Sequence, residues 1–266
     1  MYKLLVSDLD GTLVDHDSII SPRVKDAVQR AMDKGVRVTL ATGRIFQVTL
    51  PFAEELNPNA PLICCNGGLI IDFRTREVVY QETIPLPLVR EAVRFAEEKG
   101  LRLGIYFDDH RTSLEKPDPE GGFYLYLSGV QMHIVDDPLA FLNREPLKFL
   151  IITDDEKESE LIIPQLQERL GNRMRVFRST PVLVEAALPG QSKARGLARL
   201  AAHLGIKREE TMAIGDNDND AEMLAWAGLS VAMGNATPKT KAAADYIAPS
   251  ISEDGAAEAI ERFILR

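Results

Sequence analysis

Short apolar runs alternate with longer segments of helical period along most of this chain, the pattern of βαβ units around a parallel sheet. Lys3 to Ser7 predicts a strand that stops at Asp8. Ser21 and Pro22 supply an N-cap and a first helical residue for a helix ending near Gly35. Val36 to Ala41 predicts a strand, Phe46 to Leu56 a helix, and Leu62 to Cys65 a third strand, followed by hairpin-like runs from Leu69 to Thr83. The character changes after Ile84-Pro85-Leu86-Pro87. Leu88 to Lys99 and Glu156 to Leu170 predict helices there, and Arg102 to Phe107, Leu147 to Thr153, Arg173 to Ser179 and Leu183 to Ala187 predict strands. Asp108 to Pro146 carries no legible period. From Pro189-Gly190 the first rhythm returns: strands at Thr211 to Ile214 and Leu229 to Met233, and helices from Ser192 to Leu204, Asp218 to Ala225, Pro238 to Ala244 and Gly255 to Leu265. The expectation is one α/β domain made of residues 1–83 and 188–266, interrupted by a second α/β domain at 84–187.

Composition narrows the class of partner. The chain has 266 residues, 40 of them acidic and 31 basic, for a formal net charge of −9. That surplus opposes sequence-independent binding to nucleic acid or to an anionic membrane surface. Lys3 arrives too early for a signal-peptide core, and the uncharged stretch Met223 to Pro238 is broken by Gly228, Gly234 and Asn235. Cys64 and Cys65 are adjacent, which disfavours a bridge between them and reads as two buried thiols in a reducing compartment. A cytoplasmic protein, monomeric or a small homo-oligomer, is expected. His16, His110, His133 and His203 show no ligand spacing and read as surface or structural residues.

Three strands of the outer domain end in polar clusters: Asp8-Leu9-Asp10-Gly11-Thr12, Thr42-Gly43-Arg44 and Gly215-Asp216-Asn217-Asp218-Asn219-Asp220. Ligands of open α/β sheets bind beyond the carboxyl ends of the strands, so the clusters should meet in one crevice. Carboxylates gathered there repel one another unless a cation neutralises them, and an oxygen-only ligand set suits Mg²⁺. Gly11 permits a tight turn that points backbone N–H groups at an anion, while Thr42 and Lys193 offer a hydroxyl and a charge to phosphate oxygens. A calcium loop is the rival reading of Asp216 to Asp220. It needs Gly sixth and Glu twelfth, where this chain has Ala221 and Ala227, and it would follow a helix rather than a strand.

These four motifs, with Asn66-Gly67-Gly68 and Val231 to Ala236, resemble the haloacid dehalogenase superfamily, and specifically its Cof-type phosphatase branch. The resemblance implies a Rossmann-like parallel-sheet core with an inserted α/β cap that sets specificity. It implies a Mg²⁺-dependent phosphatase acting on small phosphorylated metabolites, such as a sugar phosphate, a nucleotide or a phosphorylated cofactor, through an aspartyl phosphate. Asp8 would be the nucleophile and Asp10 the general acid and base. Mg²⁺ would be held by Asp8, the Asp10 carbonyl and Asp216. Leu9, Thr42, Gly43, Lys193 and Asn219 would bind phosphate oxygens, and Asp220 would orient Lys193. Arg44, Asn66 and residues between Asp108 and Gln131 are candidate substrate contacts. Asp218 adds a further carboxylate, so either Asp218 or Asp220 could join the metal. Two alternatives stand beside this reading. A sugar phosphomutase would use basic residues of the insert, such as Arg102, Arg111, Arg144, Lys148, Arg173 and Arg178. A non-catalytic phosphate- or metal-binding regulator would have no need of both Asp8 and Asp10.

Overall fold

The computed structural model describes residues 2–107, 112–114, 132–135 and 137–266. The chain divides into two compact units, one of residues 1–81 and 192–266, the other of 82–191. The Asp108 to Gln131 segment, apart from the backbone of 112–114, lies outside the described residues.

The first unit is built on five parallel strands in the order β14-β13-β12-β1-β2, with β1 at Leu4–Ser7, β2 at Arg37–Leu40, β12 at Thr211–Gly215, β13 at Leu229–Ala232 and β14 at Tyr246–Ile247. Every residue of β1 and β12 is buried, as a parallel sheet covered on both faces requires. The helix Pro22–Asp33 starts where expected: Ser21 Oγ accepts the Val24 N–H, Pro22 takes the first turn, and Val24, Ala27, Val28 and Ala31 form the buried stripe. A small antiparallel sheet, β3 (Leu62–Cys64), β4 (Leu69–Ile71) and β5 (Val78–Gln81), joins β2 through an Ala41–Ile63 bridge.

Three local expectations need correction. The strand at Leu62 stops at Cys64, because Cys65 and Asn66 both adopt left-handed backbone, with φ of 52°. The helix expected from Asp218 begins at Ala221 instead. Before it, the Asp220 carboxylate accepts the N–H groups of Asp216 and Asn217 and holds the preceding residues in a turn, a local bond that competes with the helix. The helix expected from Gly255 to Leu265 is α-helical only to Ile260 and closes with a π-helical turn, Glu261–Leu265, whose Leu265 carbonyl accepts from Lys34 Nζ at 2.6 Å.

The second unit has the strand order β10-β11-β9-β6-β7-β8, from Arg175–Thr180, Leu183–Ala187, Lys148–Ile152, Arg102–Tyr106, Thr112–Leu114 and Met132–Ile134. Alternate residues Leu103, Ile105, Phe149, Ile151, Val184 and Ala186 enter one core with the helices Leu86–Lys99 and Glu156–Leu170. The opposite face of the same strands carries a buried ion pair, Lys148 to Glu185 at 2.8 Å. In the stretch without sequence period, Asp137 caps a short helix, Pro138–Phe141. Among the described residues, no helix is long and apolar enough to cross a membrane.

Candidate active site

β1 and β12 lie side by side, with Ser7 opposite Ile214, so the chain leaves both strands at the same end of the sheet. Asp8 follows β1, and its N–H donates to the Ile214 carbonyl at 2.9 Å. Asp216 and Asp220 follow β12. One carboxylate oxygen from each of Asp8, Asp216 and Asp220 lies within 4.8 Å of the others. Lys193, the first residue of the helix Lys193–His203, places Nζ 2.7 Å from Asp8 Oδ1 and 2.6 Å from Asp220 Oδ1. Its side chain is 1% exposed and that of Asp220 0%. One buried cation therefore faces three carboxylates.

The imbalance shows in their proton affinities. Burial raises the Asp8 carboxyl well above its ordinary range, the Asp220 charge adds to this, and Lys193 opposes it. Burial pushes Asp216 up to about 6, against a Thr12 hydrogen bond and with help from the charge of Asp220. Burial alone would lower the Lys193 ammonium, but Asp220 and then Asp8 outweigh it and hold the group above an ordinary lysine. Carboxyls raised in this way, with oxygen donors only, fit a hard divalent cation, whose charge would return them to the ionised form.

Thr42 and Gly43 follow β2 and are tied to the neighbouring segment. The Thr42 N–H donates to the Ile63 carbonyl, and the N–H groups of Cys65 and Asn66 donate to the carbonyls of Arg44 and Thr42. Cys65, Asn66 and Gly67 form a left-handed run with φ of 52°, 52° and 89°. Gly67 has no substitute there, because a Cβ would collide with the Ser192 carbonyl at the start of the Lys193 helix. The run thus sets the Thr42 loop, the Lys193 helix and Asn219 in one arrangement, Asn219 Nδ2 donating to Asn66 Oδ1 at 3.1 Å.

Asp8, Asp216, Asp220 and Lys193 are brought into contact as a cluster. Asp10 is not part of it: its carboxylate accepts from Arg44 Nε at 2.8 Å and also pairs with Nη2. Arg44, a candidate substrate contact, is thus engaged by Asp10, and its guanidinium stacks 4.9 Å from the Phe52 ring centroid. Leu9 is buried, and its carbonyl accepts from Leu13 and Val14 to close the tight turn. Asp218 points elsewhere, accepting from Thr237 Oγ1 at 2.6 Å with Lys239 at 3.7 Å, so Asp220 is the one of the pair that joins the carboxylate cluster. His16 is exposed beside Asp17 at 3.3 Å. Thr12 and Asn235 stand within motifs quoted from the sequence but were assigned no role there. Thr12 Oγ1 donates to Asp216 Oδ1 at 2.6 Å, and its place directly after Asp-x-Asp-Gly was the available signal. Asn235 Nδ2 donates to the Gly11 carbonyl at 2.8 Å from 224 residues away, a distance over which no local pattern speaks.

The sequence profile of haloacid dehalogenase-like hydrolases matches residues 5–260. The chain is 31% identical over 264 residues to 5-amino-6-(5-phospho-D-ribitylamino)uracil phosphatase YcsE of Bacillus subtilis, covering 99% of this chain and 96% of that protein. It is 30% identical to a chloroplast protein of Arabidopsis thaliana named endoribonuclease YBEY, of whose length it spans 46%. A crystal structure of a haloacid dehalogenase-like hydrolase from Bacteroides thetaiotaomicron superposes with a TM-score of 0.90 at 35% identity, covering 98% of this chain and 99% of that one. The chain belongs to the haloacid dehalogenase-like hydrolase family, in its Cof-type phosphatase branch.

Proposed function

We propose that the protein is a Mg²⁺-dependent phosphatase of small phosphorylated metabolites that works through an aspartyl phosphate on Asp8. The observation that carries this reading is the convergence of Asp8, Asp216 and Asp220 at the ends of β1 and β12, with Lys193 paired to Asp8 and Asp220. Asp8, Asp216 and the Asp10 carbonyl would hold Mg²⁺, with Asp220 fixing Lys193 and the turn around Asp216. The ion, when bound, neutralises charge on the transferring phosphoryl group.

Asp8 attacks phosphorus, the bond to the leaving oxygen breaks, and Asp10 delivers a proton to that oxygen. Water then attacks the aspartyl phosphate, Asp10 takes a proton from it, and inorganic phosphate leaves with Asp8 regenerated. Lys193, Thr42, the amides of Leu9 and Gly43, and Asn219 bind the phosphate oxygens. In the structure the Asp10 carboxylate is held by Arg44, so its acid role requires that this pair opens when substrate enters. Residues 82–191 would serve as the cap that selects the leaving group.

Phosphate release from p-nitrophenyl phosphate tests the reading. Wild-type protein with Mg²⁺ should turn over, while Asp8→Asn or excess EDTA should abolish the signal. Equal rates in wild type and Asp8→Asn would overturn it. A panel of sugar phosphates, nucleotides and phosphorylated cofactors would then identify the substrate class.

A further inference from the structure

Asn66 was read as a candidate substrate contact, yet its surroundings give it a different task. It is buried, it sits in left-handed backbone at φ 52°, and its N–H is already committed to the Thr42 carbonyl. A Cβ placed on Gly43 would lie 3.2 Å from both terminal atoms of the Asn66 amide, so that amide lies against the Gly43 backbone. Its oxygen accepts from Asn219 Nδ2 at 3.1 Å. The other end of the Asn219 amide, Oδ1, is buried with no hydrogen-bond partner.

That arrangement leaves an acceptor as the free end of the Asn219 amide, whereas an anion held by Asn219 would need a donor there. A half-turn of both amides keeps the bond between them and exchanges their roles: Asn66 then donates to Asn219 Oδ1, and the Asn219 NH₂ becomes the free end. An asparagine at position 66 permits this exchange because its amide carries a donor and an acceptor side by side. An aspartate would not, since an ionised carboxylate only accepts.

We propose that Asn66 is a positioning residue that turns the donor end of the Asn219 amide toward the phosphoryl group and itself contacts no part of the leaving group. The inference rests on the proposed reading that a phosphoryl group occupies the cradle beside Asn219. It assigns the left-handed run at 65–67 a role in anion recognition, in addition to its role in holding Thr42 beside the Lys193 helix.

The test uses Asn66→Gly and Asn66→Asp, alone and combined with Asn219→Ala. Glycine suits a φ of 52°, and aspartate tolerates it, so thermal melts should show both variants folded. The readouts are kcat/KM for a series of phosphate monoesters with unlike leaving groups, and inhibition by orthovanadate, which has no leaving group. Asn66→Gly should lower kcat/KM about tenfold by one common factor for every ester and weaken vanadate inhibition to a similar extent. Asn66→Asp should be worse than Asn66→Gly, because it fixes the Asn219 oxygen toward the anion. In the Asn219→Ala background the difference between the two variants should shrink to threefold or less.

Three results would each overturn the inference: losses that differ between esters with vanadate inhibition unchanged, Asn66→Asp at least as active as Asn66→Gly, or an undiminished difference between the variants once Asn219 is alanine. Absence of wild-type turnover with Mg²⁺ would instead overturn the phosphatase reading, so the two failures are separable.

Discussion

Lys193 Nζ donates to Asp220 Oδ1 at 2.6 Å, and neither side chain has more than 1% of its surface exposed. The same ammonium lies 2.7 Å from Asp8. Removing it strands buried carboxylates without their counter-charge, which costs about 3–5 kcal/mol when one partner of a buried pair is lost. Lys193→Met should therefore lower the urea midpoint strongly and abolish phosphate release. A variant as stable as wild type would show that the carboxylates are compensated by another group.

The raised carboxyl of Asp216 gives the proposed metal site a pH signature. Its folded value of about 6 exceeds the unfolded value of 3.8, so its contribution to metal-free stability is present below the unfolded value and is lost as pH rises through about 6. A cation needs the ionised form, and binding must displace the proton. Burial is the main cause of the raised value; among neighbouring groups Thr12 and Lys193 lower it, and Asp220 and Asp10 raise it. Mg²⁺ should accordingly raise the melting temperature more at pH 7.5 than at pH 5. Calorimetric titrations near pH 6 in buffers of unlike ionisation enthalpy should register proton release on binding.

Gly67 offers a test of the left-handed run. Alanine there combines a φ of 89° with a collision against the Ser192 carbonyl, a backbone atom that cannot swing aside. Gly67→Ala should destabilise the protein by about 2 kcal/mol or more, read as a shift in denaturation midpoint. Activity should fall further than stability alone explains, because the displaced helix carries Lys193.

The buried pair Lys148 and Glu185 in the second unit separates stability from charge. Lys148→Met alone should cost about 3–5 kcal/mol, whereas Lys148→Met combined with Glu185→Leu should return most of that loss. Additive losses in the double variant, measured by urea unfolding, would contradict this.

Four of the five parallel strands, β1, β2, β12 and β13, were legible as short, largely apolar runs, and Ser21 and Pro22 announce a helix in adjacent residues; the two-residue β14, Tyr246–Ile247, is too short to carry a period and was not expected. Asp8, Asp216, Asp220 and Lys193 were legible because they stand at strand and helix ends. Asp220 shows where such reading stops. Its carboxylate bonds back to Asp216 and Asn217, and that contest between side chain and helix moved the helix start by three residues, which propensity alone does not decide. The Arg44 pair with Asp10 and the reach of Asn235 to Gly11 depend on tertiary proximity, which has no period in the sequence.

The site's two halves also carry a history. Thr12 and Asp216 touch at 2.6 Å but stand 204 residues apart, and β1 lies between β2 and β12 in the sheet. During synthesis β2 can pair with β1 early, but the other flank of β1 stays open until β12 leaves the ribosome. The whole of residues 82–191 is translated, and can collapse on its own core, in that interval. Loop-closure entropy must then be overcome across the inserted unit before Asp216 can reach Asp8. The centre is therefore completed only after the inserted unit has been made, and an incomplete chain that already holds Asp8 and Asp10 has no assembled carboxylate cluster.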